Sequence, residues 1–170
     1  MTGVAYSHCS YCGTAYPADA GWPRLCAACD QTVWRNPLPV AVALLPVRTP
    51  TGPGVVVVRR DIEPARGLLA LPGGFIEYGE QWQDALVREL REETGLHADP
   101  AGARLVAVHS APAGGTMMIF GELPARPVGE LPPSAPTTEA TEWLVLTAPT
   151  ELAFSTHTQV LAEFFARRQG

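Results

Sequence analysis

The sequence predicts a layered α/β domain preceded by a small cysteine-organised unit, and three observations carry that expectation. All four cysteines fall within the first 29 residues, as two Cys-x2-Cys pairs. Beyond them, apolar runs of strand length alternate with segments rich in Gly and Pro. Two stretches, 81–94 and 156–167, instead repeat their apolar residues at helical spacing. Mixed strands with two helices imply a sheet layered with helices. The chain has 170 residues, within the ~100–200 expected of one ordinary domain with room for an appendage.

The first unit spans residues 1–36. Cys9 and Cys12 are separated from Cys26 and Cys29 by thirteen residues, a spacing suited to a tetrahedral, all-thiolate zinc site. Gly13 follows the first pair and Asp30 the second; both residue types accept the left-handed backbone that such turns use. Two disulfides or four buried thiols are the alternatives, and a chain that starts without an evident export signal favours zinc. A segment this short builds little core, so metal would supply its folding free energy. His8 is read as an exposed neighbour, because four thiolates saturate the ion. Trp34 is expected to cover the knuckle.

Residues 37–170 form the second unit. Asn36-Pro37-Leu38-Pro39 reads as a stiff hinge. One strand is expected over 40–47 and another over the Val-rich run ending at Arg60, joined by a Gly/Pro turn. The run 67–74 ends in Gly73 and Gly74. A helix follows over 81–94 with Trp82, Ala85, Leu86 and Leu90 as its apolar stripe and Gly95 as its C-cap. Strands are expected at 104–110, 116–122 and 140–146, an exposed Pro-rich loop at 123–136, and a last helix at 156–167.

Charge narrows the function. Twelve Arg, no Lys and seventeen acidic residues give a formal net charge of −5, which opposes broad nucleic-acid binding. No apolar run approaches the ~18 residues of a membrane span, and a cytoplasmic protein is expected. A zinc-ribbon nucleic-acid binder is disfavoured because residues 1–35 hold only Arg24 and Arg35 as bases.

The informative segment is GFIEYGEQWQDALVRELREETGL, residues 74–96. On a helix, Glu89, Glu92 and Glu93 fall in one sector, at about 0°, −60° and +40°. Like charges at these spacings cost roughly 0.2–0.5 kcal/mol per pair, and a hard divalent cation would relieve them. Asp84, Arg88 and Glu92 read as an i,i+4 ladder. Taken alone, the helix equally suits a solvated charged face.

The fixed context decides otherwise. Gly74, Glu80, Arg88, Glu89, Leu90, Glu92, Glu93, Gly95 and Leu96 fit G-x5-E-x7-R-E-U-x-E-E-x-G-U, where U is a bulky apolar residue. Seven identities at ~6% usage each arise by chance on the order of 10⁻⁹ per window. The segment resembles the signature of Nudix hydrolases, and the likeness extends over about residues 38–166.

That resemblance implies an α/β/α sandwich with a mixed sheet, preceded here by the zinc ribbon. It implies hydrolysis of the pyrophosphate bond in a nucleoside diphosphate linked to another moiety, with Mg²⁺ or Mn²⁺ as cofactor beside the structural Zn²⁺. Glu89 and Glu93 would be the main metal ligands, Glu92 and the Gly73 carbonyl further ones, with Glu80 close by and Arg88 orienting the carboxylates. For the general base, Glu92 lies in the box, and Glu139 is preferred to Glu142; a surface carboxylate explains each of the latter two equally well. The ribbon and chain length resemble ADP-ribose and FAD pyrophosphatases. NADH pyrophosphatases are also similar, but their SQPWPFPxS motif is absent after residue 96. The expected partner is a small substrate of the ADP-ribose, FAD or NADH type, with no membrane or bulk nucleic acid, in a homodimer as relatives often are. The rival reading is a non-catalytic nucleotide-sensing or protein-recruiting module.

Arg59, Arg60 and Arg66 flank the loop before the box and are candidates for clamping phosphate. Trp22, Trp34 and Trp82 are candidate stacking residues, Trp82 better explained as core. Met117 and Met118 read as strand packing. His109 and His157 receive no role.

Overall fold

The computed structural model describes residues 5–168. By its contacts the chain divides into two compact units, Met1–Pro37 and Leu38–Gly170.

In the first unit, two turns repeat one hydrogen-bond pattern. The Cys9 N–H donates to the Thr14 carbonyl and the Gly13 N–H to the Cys9 carbonyl; Cys26 with Gln31 and Asp30 with Cys26 do the same. Gly13 and Asp30 both have positive φ, 76° and 55°, which closes each turn and aims two sulfurs inward. Strands β1 (Arg24–Leu25) and β2 (Thr32–Val33) pair antiparallel beneath the second turn. Trp34 is 64% exposed and does not cover the knuckle, contrary to expectation. Arg24 instead organises the aromatic residues, with its guanidinium 4.5 Å from the Trp22 ring centre.

The second unit holds two sheets. Strands β3 (Leu38–Leu44), β4 (Pro46–Thr49), β5 (Gly52–Arg60), β6 (Leu69–Ala70) and β7 (Gly73–Phe75) precede helix α1 (Trp82–Thr94). Strands β8 (Arg104–Ser110), β9 (Thr116–Glu122), β10 (Arg126–Pro127) and β11 (Ala140–Leu146) lead to α2 (Ser155–Ala166). One sheet has the order β7-β3-β9-β8, and the other β10-β4-β5-β11 with β6 also on β5. Parallel pairing of β3 with β9 and of β10 with β4 makes both sheets mixed.

The continuous apolar runs are buried on both faces, as a layered fold requires. Along β3, Ala41 and Ala43 pack with Leu86 and Leu90 of α1. Val42 and Leu44 point the other way, with Leu161 and Phe164 of α2. Strand β5 alternates likewise, Val56 and Val58 toward α1 and Val55 and Val57 toward α2. Helix lies on each side of the sheet layer, and the period-2 alternation of strands puts it there.

Two expectations are corrected. The strand expected over 40–47 is two strands in different sheets, broken at Leu45. Pro46 has no N–H to continue the ladder, and the chain steps across to pair with β5. The segment 123–136 is not wholly loop, since Arg126–Pro127 pairs with β4 and a helical turn follows at Val128–Glu130. Elsewhere the elements fall within a few residues of expectation, and Gly95 caps α1 at φ 73° with its N–H on the Arg91 carbonyl.

Candidate active site and metal centres

The four cysteine sulfurs lie within 4.8 Å of one another. The Cys9–Cys29 and Cys12–Cys26 separations are 3.8 and 3.6 Å, far beyond the ~2.05 Å of a disulfide. Ligands ~2.3 Å from a tetrahedral zinc stand about 3.8 Å apart. The thiols are free and their spacing fits that ion.

The carboxylates are arranged by α1 against the β7 loop. Glu89 and Glu93 lie one turn apart on the face turned into the fold. Glu93 is 4% exposed, and its Oε2 accepts the Gly73 N–H at 3.0 Å. A β-carbon at Gly74 would stand 2.5 Å from the Glu89 carboxylate. Only glycine lets the loop backbone come this close.

Arg88 binds the next ring of groups. Its Nε and Nη2 donate to the two oxygens of Glu80 at 2.9 and 3.0 Å. Nη1 donates to Glu89 at 2.7 Å and to Glu92 at 3.4 Å, while Nη2 also reaches the Phe75 carbonyl. The guanidinium thus ties helix, loop and the three carboxylates of Glu80, Glu89 and Glu92 together. Of the expected ladder the Arg88–Glu92 half is present; Asp84 is exposed and takes no part, and Arg88 turns back to Glu80 instead.

Charge is unevenly compensated. Hydrogen bonds from Arg88 hold the Glu80 carboxyl below its ordinary range despite some burial. Burial raises Glu89 against the opposing pull of Arg88. Burial likewise pushes Glu93 up to about 8, outweighing the Gly73 N–H, with the charges of Glu89 and Glu139 adding to the rise. Of the two innermost carboxylates, Glu89 shares the Arg88 guanidinium with Glu80 and Glu92, while Glu93 has no ion-pair partner among the described residues. A hard cation would supply a counter-charge there, since Mg²⁺ needs only one or two carboxylates plus water and phosphate oxygens. Among the described residues the cysteines alone form a tight cluster of three or more ligand groups; Glu89 is held by Arg88.

The remaining candidates separate. Glu139 acts electrostatically on both Glu89 and Glu93, although it lies on a distant part of the chain, just before β11. Glu142 accepts from Arg59 at 2.7 Å. Arg59 also donates to the Gly67 carbonyl, and Arg66 stands 3.6 Å from Asp61 at the surface. Neither Arg59 nor Arg66 borders the cavity beside the box, whereas Arg60 does. That cavity, about 540 Å³, runs from Gly73 and Gly74 to the start of α2 and is walled largely by apolar side chains. None of the tryptophans lines it, and Trp82 packs against the core as expected. Met118 is buried and also reaches the cavity wall.

Sequence reasoning missed the far wall, Phe154, Thr156 and His157. These residues lie in and just before the first turn of α2, and only the packing of distant elements brings them to the box.

The profile described as NUDIX domain matches residues 37–167. An ADP-ribose pyrophosphatase of Methanocaldococcus jannaschii is 45% identical over 58 residues, 34% of this chain and 33% of that protein. The NAD-capped RNA hydrolase NudC of Escherichia coli is 26% identical over 93 residues, 54% of this chain and 34% of that one. The chain thus spans about a third of the length of these curated relatives. Among solved structures, a NUDIX hydrolase from Nitrosomonas europaea superposes with a TM-score of 0.70 at 24% identity, covering 96% of this chain and 92% of that one. The NUDIX domain of Shewanella oneidensis NrtR, solved with ADP ribose, gives 0.65 at 20% identity over 81% and 91%. At such identities the superpositions show the shared fold. Among the described residues no helix is long and apolar enough to cross a membrane.

Proposed function

The chain belongs to the NUDIX family, and from that premise we propose that it is a divalent-metal-dependent pyrophosphohydrolase of a nucleoside diphosphate linked to another moiety. ADP-ribose, FAD and NADH represent the substrate class. The observation that carries this reading is the pair of carboxylates, part-buried Glu89 and buried Glu93, set beside a cavity large enough for a nucleoside. The named activities of the relatives lend it support.

Glu89 and Glu93 would hold Mg²⁺ or Mn²⁺, with Glu92, Glu80 and the Gly73 carbonyl as further candidate ligands. When bound there, such an ion would offset phosphate charge and lower the pKa of a water molecule. Arg88 positions Glu89 and Glu80 through its fork of hydrogen bonds. Arg60, at the cavity wall, draws the diphosphate in. Glu139 accepts a proton from the attacking water, with Glu92 as the second candidate. Water oxygen bonds to one phosphorus as the bridging P–O bond breaks, and the electron pair stays on the departing phosphate. The products are a nucleoside monophosphate and the other phosphorylated moiety.

We assign residues 1–36 to a structural zinc ribbon and 37–170 to the hydrolase. The spacing of four free thiols supports both the zinc and a reducing, cytoplasmic setting.

Purified protein incubated with ADP-ribose, FAD and NADH tests the reading by chromatographic detection of nucleoside monophosphate. Turnover that requires Mg²⁺ or Mn²⁺, and that falls at least about a hundredfold in Glu93→Gln, is expected. No turnover across the panel, or full activity of the variant, refutes it.

A further inference from the structure

The first turn of α2 borders the cavity, and it carries a polar side chain that the reaction does not use. His157 is 5% exposed and is clamped edge-on by Phe154 and Phe120, with ring centres 5.0 and 5.5 Å away. Its Nδ1 lies 3.3 Å from the Leu71 backbone nitrogen. A backbone N–H only donates, so Nδ1 must be the unprotonated acceptor. The proton of the neutral ring then sits on Nε2.

Nε2 has no hydrogen-bond partner among the described residues. Nor is it sealed away, unlike Nε2 of His109, which is buried without a partner. It belongs to the cavity wall with Val40, Val42, Leu71, Met118 and Phe154. Burial first, and the Arg60 charge second, lower the ring pKa to about 3, so the ring stays neutral at physiological pH. A fixed, uncharged donor among apolar walls suits a flat, neutral ring with an acceptor on its edge. Phosphate is better served near Arg60 and the box glycines.

We propose that His157, through Nε2–H, reads the nucleobase of the substrate by donating to a ring nitrogen or carbonyl oxygen on its edge. The proposal rests on the hydrolase reading for the identity of the substrate. A bound base without an acceptor there would leave the buried donor unpaired, which disfavours it.

Two amide variants separate recognition from structure. Asn offers an oxygen where Nδ1 stands, keeping the Leu71 bond and losing the outer donor. Gln places its NH₂ near Nε2, keeping the donor and losing the inner acceptor. Binding of adenosine 5′-monophosphate is measured by calorimetry, and the His157 ring nitrogens are followed by ¹⁵N NMR. The Nε2–H tautomer should be seen in free protein, with its signal moving on addition of the nucleotide. His157→Asn should weaken binding roughly tenfold while His157→Gln binds within about threefold of wild type, although Gln is the less stable fold. The proposal is overturned if Asn binds like wild type, if affinity follows thermal stability, if free protein shows Nδ1–H, or if wild type does not bind the nucleotide. Turnover on the panel with an unaffected Asn variant removes His157 and leaves the hydrolase standing. Asn-specific loss of binding without any turnover does the reverse.

Discussion

Replacing Glu93 by Gln keeps the acceptor for the Gly73 N–H and deletes a charge that burial makes expensive. The carboxyl is pushed from 4.5 to about 8, so the folded state holds its proton more tightly than the unfolded chain does. The cost of ionisation is absent below about pH 4.5, grows as pH rises and is complete above about 8. At about 1.4 kcal/mol per pH unit of difference, the full cost is of order 5 kcal/mol, and ~3 kcal/mol accrues by pH 7. Gln is neutral throughout. Its introduction also removes a negative charge that faces Glu89, which acts in the same direction. Urea unfolding without added divalent cation, at pH 5, 7 and 9, should show the variant within about 1 kcal/mol of wild type at the lowest pH. At pH 9 it should be more stable by up to about 5 kcal/mol, or roughly 10–20 °C in Tm. The gain comes with loss of turnover. Parallel pH profiles for the two proteins, or a Gln variant less stable at pH 9, would refute the assignment of Glu93 as an uncompensated buried charge.

Other substitutions test other parts of the arrangement. Arg88→Ala strands Glu80 and Glu89 without their shared partner and should cost about 2–4 kcal/mol in urea unfolding; Arg88→Lys should recover little, since an ammonium cannot reproduce the fork. Cys12→Ser should lower zinc content, measured by elemental analysis, from about one per chain to near zero; undiminished zinc would exclude the four-thiolate site. Gly73→Ala would press a β-carbon into the Ala41 carbonyl and to 2.8 Å from the Val42 α-carbon. Backbone cannot yield there as a side chain would, so a loss of about 1–3 kcal/mol with impaired turnover is expected, and a neutral effect would contradict the close β3–β7 pairing.

Much of the fold is written locally. Each cysteine turn closes within six residues, with Gly13 and Asp30 placed where positive φ is needed. Helix α1 shows its apolar stripe and its Gly95 stop in one stretch of sequence. The split at Leu45 was not legible, because a continuous apolar run does not say which sheet each half joins; Pro46 marks the break only once β5 is known to receive the second half. Residues 126–127 became a strand for a similar reason, as two residues carry no periodicity and the edge of β4 supplies the pairing.

The candidate site divides along the same line. Glu80, Arg88, Glu89, Glu92 and Glu93 lie within fourteen positions, and helix geometry alone puts three of the carboxylates in one sector. Sequence by itself therefore determined that this chain carries a concentrated carboxylate box, a four-thiolate cluster and the elements of an α/β layer. Tertiary structure alone decided which charges go uncompensated. Depth of burial separates Glu93 from half-exposed Glu92, though the two are adjacent. It also decided that Arg60 rather than Arg59 meets the cavity, and that Glu139 and His157 face a box some fifty residues or more before them in the chain. The Leu71–His157 hydrogen bond spans 86 positions, and no local pattern marks such a pair. Periodicity and caps follow from bonds between near neighbours in sequence, whereas a cavity and its electrostatics exist only after distant elements have packed.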